Sequence, residues 1–314
     1  MSDNQHGVSR RTFLLAAAAT SLSAAAASGE SPAAASPGWV DAHAHVWTDD
    51  VAKYPLAGKL RVEDLVPRTF LPEPLLELGG KNGVRRVVLI QHQVYHGTDN
   101  RYMLDTLSRF PGKFSAVAYV DVARADVVDE LDRLQKAGVR GLRICAGDGG
   151  VPRWSDSENM KSLWRRGAEI GVAMCPQVNP EYLPEVDRMC SDFPETQVVI
   201  DHFAKIGHDG QIRPQDLDRL AALSRFKNVN AKLSAFYGIG DKKPPYDEIV
   251  PIIRRVYDSF GPKRLMWASD CPYQLFGANT YEDSIALVRD KLDFVTDDDR
   301  QWMLRKTAER VFFS

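Results

Sequence analysis

Val40-Asp41-Ala42-His43-Ala44-His45 lies in the first of eight short apolar runs in this chain, and its content decides between two α/β architectures. That run spans 39–47, and the others span 86–92, 114–121, 139–145, 172–178, 197–203, 229–236 and 264–270. They are rich in Val, Ile and Leu without strict alternation, as strands covered on both faces should be. Helical periodicity fills the gaps. Over 126–136, Val127, Val128, Leu131 and Leu134 share one face, and Gly138 follows as a helix exit. The stretches 157–169, 184–190, 215–226 and 248–260 read alike, with Gly171 and Gly261 as further exits. Strands separated by helices pair in parallel. An open doubly wound sheet would carry a glycine-rich phosphate loop after its first strand. Here that place holds His43-Ala44-His45. Eight such units over roughly 275 residues match a closed (β/α)8 TIM barrel, so a single α/β barrel domain is expected over 37–314.

The chain has 314 residues, with 40 Lys and Arg against 42 Asp and Glu, for a formal charge of -2. No basic block follows the first dozen residues, so a nucleic-acid partner is not expected and a small-molecule substrate is. Residues 1–36 read differently. Ser9-Arg10-Arg11-Thr12-Phe13-Leu14 opens an alanine-rich stretch reaching Ser28, the layout of a cleavable export signal. It resembles the twin-arginine signal, which implies the Tat export machinery as a partner and a periplasmic or extracellular location. The run is too short and too alanine-rich for a span of about 20 apolar residues, so no membrane insertion is expected. Cys145, Cys175, Cys190 and Cys271 contain no C-x-x-C pair, which argues against a zinc–cysteine site. Buried thiols are expected, with a Cys145–Cys175 disulfide as the alternative in an oxidising compartment. Assembly as a homo-oligomer stays open.

In a barrel of this kind the C-terminal ends of the strands face the active site. The first run offers His43 and His45, two residues apart and therefore on one side of a strand. The sixth ends in Ile200-Asp201-His202 and the eighth in Trp267-Ala268-Ser269-Asp270. Three imidazoles and a carboxylate meeting at one mouth can hold a divalent ion or activate water. Arg143 ends the fourth run, where it can bind a substrate carboxylate or carbonyl in a paired hydrogen bond, or close a salt bridge inside the barrel. Gln177 on the fifth run, Lys232 beside Ser234 on the seventh, His92 after the second and Tyr273 beside Asp270 complete the candidate substrate contacts. Tyr95, His96 and Trp47 stand near them, with ordinary packing as the competing reading.

Asp41-Ala42-His43-Ala44-His45 and Ser269-Asp270 resemble the amidohydrolase superfamily. Val199-Ile200-Asp201-His202-Phe203-Ala204-Lys205, Asn228-Val229-Asn230-Ala231-Lys232-Leu233-Ser234 and the run from Phe260 to Asp270 resemble its lactonase-rich, amidohydrolase-related group. That group includes sugar-acid lactonases acting on fuconolactone or rhamnonolactone, and pyrone-dicarboxylate lactonase. The resemblance covers nearly all of the chain after Ser36. It implies a hydrolase that opens the lactone of a sugar acid or carboxylated small molecule, with Asp270 as general base and His202 beside it in catalysis. Members with two metals add a Lys or Glu on the fourth strand and a His on the fifth, where this chain has Arg143 and Gln177. One divalent ion is therefore implied, zinc first, held by His43, His45 and Asp270 with His202 as a further ligand. Metal-free chemistry through the same residues is the alternative. Two other readings are a metal-dependent non-oxidative decarboxylase of a small carboxylic acid, which the group's fifth-strand histidine would favour and Gln177 opposes, and a non-catalytic binding protein.

Overall fold

Eight parallel strands follow one another in sequence order around the barrel in the computed structural model, which describes residues 38–314. The export signal read over 1–36 lies outside the described residues. The strands are β1 (Trp39–Ala44), β2 (Val84–Ile90), β3 (Phe114–Ala118), β4 (Val139–Cys145), β5 (Ala173–Gln177), β6 (Val198–Ile200), β7 (Val229–Leu233) and β8 (Leu265–Trp267). A helix follows each, from Pro72–Lys81 after β1 to Tyr281–Ala286 after β8. No described helix is long and apolar enough to cross a membrane.

The lack of strict alternation in the apolar runs has a packing cause. Inward residues such as Val40, Ala42, Val88, Val117, Cys175, Val199 and Met266 form a cluster inside the barrel. Their outward neighbours, among them Val87, Leu89, Leu142, Met174, Ile200 and Leu233, pack in a second layer against the helices. Both faces are dry, so both carry apolar side chains. Gly141 on β4 is required by the inner cluster, since a Cβ there would lie 2.8 Å from Val117 and 3.1 Å from the Cys175 sulfur. At helix ends the local signals hold. Ser157 caps Glu158–Ile170 by accepting from the Met160 N–H at 3.2 Å, and Gly171 leaves it at φ 70.

The chain's last helix, Thr307–Phe312, closes the end of the barrel away from the strand C-termini. Ala308, Val311 and Phe312 belong to the inner cluster. Glu309 pairs with Arg86, and Arg310 donates to the Asn230 side chain at 2.9 Å. The opposite end is closed at the seam of first and last strands. There the regular ladder is replaced by a bridge between Ala44 and Cys271. The His45 N–H donates to the Cys271 carbonyl and the Asp270 N–H to the His43 carbonyl, both at 2.8 Å.

Two expectations are revised. β6 ends at Ile200 and β8 at Trp267, so His202 and Asp270 stand on the turns beyond their strands rather than on them. The cysteines are free thiols as expected, buried at Cys175, Cys190 and Cys271 and partly buried at Cys145, and the alternative Cys145–Cys175 disulfide is not made. In the register Cys175 opposes Arg143 and Cys145 opposes Gln177. That two-residue offset puts the Cα atoms about 8 Å apart, beyond the ~7 Å a disulfide spans.

Phe312→Ala empties the centre of the barrel floor and should cost about 3–5 kcal/mol in urea unfolding. A loss below about 1 kcal/mol would mean that the floor collapses around the gap.

Candidate active site

The turns that carry His202 and Asp270 are built on unusual backbone. His202, Phe203, Ala204 and Lys205 follow one another at φ 52, 51, 54 and 55, a left-handed turn made without glycine. Asp270 sits at φ 61. Each such residue costs about 1–2 kcal/mol, so surrounding contacts must impose the conformation. Phe203 and Ala204 are fully buried, and the Asp270 N–H is held by the His43 carbonyl.

Asp41 fixes the same region from below. Its Oδ1 accepts from the His43 N–H at 3.1 Å and the Ser269 N–H at 2.9 Å. Its Oδ2 accepts from the Ser269 hydroxyl at 2.5 Å and the Tyr281 hydroxyl at 2.9 Å. Burial pushes its pKa up to about 6, against the pull of these four donors. The side chain thereby ties β1 to the turn that presents Asp270.

Above Asp41 the imidazoles converge on Asp270. The Nε2 atoms of His43 and His45 each lie 3.3 Å from Asp270 Oδ1, and His202 Nε2 lies 3.8 Å from Oδ2. Tyr237 donates its hydroxyl to Oδ2 at 2.7 Å. His45 Nδ1 lies 2.8 Å from the Ile90 carbonyl, which can only accept, so Nδ1 carries a proton and Nε2 is the nitrogen turned to Asp270. The buried Asp270 Oδ1 has no hydrogen-bond partner among the described residues. A cation would fit between these atoms. Corners of a tetrahedron centred about 2.1 Å away lie about 3.4 Å apart, close to the 3.3 Å found here. His43, His202 and Asp270 also bring one ligand atom each within 4.8 Å of one another. The donor set fits one divalent ion. Burial alone would raise the Asp270 pKa, but the imidazoles of His202, His43 and His45 hold it below the usual carboxylate range.

Behind His43 lies a buried charge cluster. Asp201 Oδ1 is 2.9 Å from Lys232 Nζ and 3.5 Å from His43 Nδ1, and its Oδ2 is 3.5 Å from Arg143 Nη2. Arg143 Nη2 lies 3.0 Å from His43 Nε2, and Nη1 donates to Gln93 Oε1 at 2.8 Å. Lys232, read from the sequence as a substrate contact, is fully buried. It points into the barrel as its strand position requires, but stops beneath His43 and meets Asp201 instead of the cavity.

The cavity at the mouth encloses about 210 Å³. Asp270, His45, Arg143, Gln177, His92 and Tyr273 line it, joined by Gln93, Val94 and Tyr237. His43 and His202 lie just behind this lining. His92 is hydrogen-bonded through Nε2 to the Tyr273 hydroxyl, and its Nδ1 accepts from the Tyr95 N–H at 3.2 Å. Burial, with His45 nearby, pushes the His92 pKa down to about 2, so the ring is neutral. His96 turns away, with Nδ1 3.3 Å from the Pro55 carbonyl. Sequence reasoning gave no role to Asp41, Gln93, Asp201 or Tyr237. Asp41 and Asp201 each stood within two residues of a selected histidine, which was the available signal. Gln93 directly follows His92, but Tyr237 lies four residues past the end of β7 and nothing local marks it.

The sequence profile of the amidohydrolase family matches residues 40–313. The chain is 28% identical over 234 residues to an L-fucono-1,5-lactonase from Burkholderia ambifaria, covering 74% of this chain and 80% of that protein. It is 25% identical over 281 residues to a 4-sulfomuconolactone hydrolase from Hydrogenophaga intermedia, covering 88% and 89%. Among solved structures, an amidohydrolase from Burkholderia multivorans with bound zinc superposes with a TM-score of 0.72 at 22% identity, covering 87% of this chain and 98% of that one.

Lys232→Met would leave Asp201 buried with Arg143 as its remaining close cation. The expected loss is about 3–5 kcal/mol in chemical denaturation. A loss under about 1 kcal/mol, the range of an exposed pair, would show that the charge cluster is wetter than its geometry implies.

Proposed function

This chain belongs to the amidohydrolase family, and from that premise we propose that it hydrolyses a small lactone by attack of an activated water. The observation that carries the reading is Asp270: an ionised, buried carboxylate in the cavity wall, with one oxygen free of donors and three imidazoles around it. The two relatives named for lactone hydrolysis support it. A lactone needs a positioned water, a proton acceptor and a stabiliser for the oxyanion that forms at its carbonyl. Asp270 Oδ1 accepts the water's proton while Tyr237 holds Oδ2 in place. Water adds to the carbonyl carbon, the ring C–O bond breaks, and the proton passes to the departing oxygen, leaving a hydroxy acid. The depressed pKa of Asp270 keeps it ionised beforehand and makes it release the proton readily. Arg143 and the Tyr273 hydroxyl offer donors to the substrate's oxygens from the cavity wall.

A divalent ion, zinc in our reading, would be held by His43, His45 and Asp270 with His202 in reach, and would polarise the carbonyl as a Lewis acid. The 3.3 Å spacing of Asp270 Oδ1 from the ring nitrogens of His43 and His45 and the grouping of His43, His202 and Asp270 support this, and the Burkholderia multivorans neighbour has bound zinc. We also read Ser9-Arg10-Arg11 as a twin-arginine address, so that the enzyme would work in the periplasm or outside the cell.

Two measurements test the reading. Asp270→Asn should lower turnover of a hydrolysed lactone about 10²- to 10⁴-fold with an unchanged circular dichroism spectrum; near-normal turnover removes Asp270 as the base. Metal analysis should find one divalent ion per chain, with hydrolysis lost on chelation and restored by zinc. Undiminished hydrolysis by metal-free protein would turn the three histidines into direct substrate contacts.

A further inference from the structure

We infer that the substrate bears an anionic group, a carboxylate, on the side of its ring facing β4 and β5, and that Gln177 helps to select it. The inference deepens the lactone reading and rests on it for the identity of the ring, though not for the anion.

The argument follows the direction of hydrogen bonds along the cavity wall. A side-chain amide has two ends of nearly the same shape, and its neighbours decide which is oxygen. Arg143 has donors only, so the end of Gln93 that meets Arg143 Nη1 at 2.8 Å is the oxygen. The other end of Gln93 is therefore NH₂, and it meets one end of Gln177 at 3.2 Å, which must be Oε1. The Cys145 thiol approaches that same oxygen at 3.7 Å. Gln177 thus spends its acceptor within the wall. Its NH₂ has no partner among the described residues and is left for whatever fills the cavity.

Arg143, Gln93 and Gln177 all line that cavity, so this wall offers donors and has its acceptors already engaged. Charge points the same way. Arg143 is the cation of this wall, and the carboxylate nearest to it, Asp201 at 3.5 Å, is shared with Lys232 at 2.9 Å. A neutral polyhydroxylated ring would need acceptors here for its own hydroxyl protons. A carboxylate needs none, and its two oxygens match paired donors. The carboxylate of Asp270 lies elsewhere in the lining, where the attacking water would meet it.

The test uses a matched pair: γ-butyrolactone carrying a carboxylate on its γ carbon, and the same lactone carrying a hydroxymethyl group there. The ring-opened acids of both serve as non-reacting ligands in titration calorimetry. The wild-type protein should favour the carboxylated member by about tenfold or more, both in kcat/KM and in product affinity, a tenfold step being about 1.4 kcal/mol. Gln177→Glu, which turns the free end of the amide into an anion, should cut that ratio at least tenfold, and Gln177→Leu should cut it less. A wild-type ratio near one, or a ratio unmoved by Gln177→Glu, overturns the inference. Hydrolysis of both lactones without preference would remove the anion site alone. Failure to hydrolyse either, with the product preference intact and sensitive to Gln177→Glu, would remove the lactone reading and leave the anion site standing.

Discussion

One carboxylate, Asp41, holds the first strand of the barrel to the last. A closed sheet must join two strands separated by the length of the domain, and here the regular ladder fails at that join. Asp41 takes its place by receiving the backbone of His43 and both the backbone and hydroxyl of Ser269, with Tyr281 as a fourth donor. The residues on either side of the seam are positioned relative to this clamp. His43 and His45 follow it on one side of the seam, and Asp270 follows Ser269 on the other. The left-handed Asp270 is tolerable because the His43 carbonyl captures its N–H.

The charge cluster behind His43 plays a related part at the next level of the fold. Burying Asp201, Lys232 and Arg143 together is costly in a medium that solvates ions poorly, and they are satisfied by one another together with His43 and Gln93. Their mutual geometry is therefore narrow, and it extends outward through Arg143 to Gln93 and Gln177. The orientation of the amides at the cavity surface is decided by Arg143, itself anchored by the buried cluster behind the lining. The strained turn at 202–205 adds a second constraint from β6. Interior electrostatics and backbone strain together leave the mouth little freedom to rearrange around a ligand, which is the condition for preorganised catalysis.

Much of this was legible in the sequence because strand ends are legible. The eight apolar runs mark the strands, and His43, His45, His202 and Asp270 stand out because titratable residues follow immediately on such runs. What stayed hidden depended on distance in the chain. That Asp41 receives Ser269 requires two strands to meet across 228 positions. Tyr237 comes into place only through the course of the loop after β7. Lys232 is legible as a residue of the seventh strand, but its depth along the barrel, which separates a substrate contact from a buried counter-ion, is a matter of tertiary height. His202-Phe203-Ala204-Lys205 contains nothing that predicts a left-handed turn, since ordinary residues adopt one only when their surroundings force them.

Closure of the barrel by its two ends also imposes an order of events on synthesis. β1 emerges from the ribosome well before its partner across the seam and the Phe312 floor beneath it, which lie about 220 to 270 residues further along the chain. At about 5–20 residues per second, roughly a quarter of a minute to a minute separates the two. Throughout that interval one side of β1 lacks its partner strand, and an open strand edge invites pairing with other chains. His43 and His45 exist as residues all that time without Asp270 to face them. The active site is thus a late event in the life of the chain, however early its first two histidines are made.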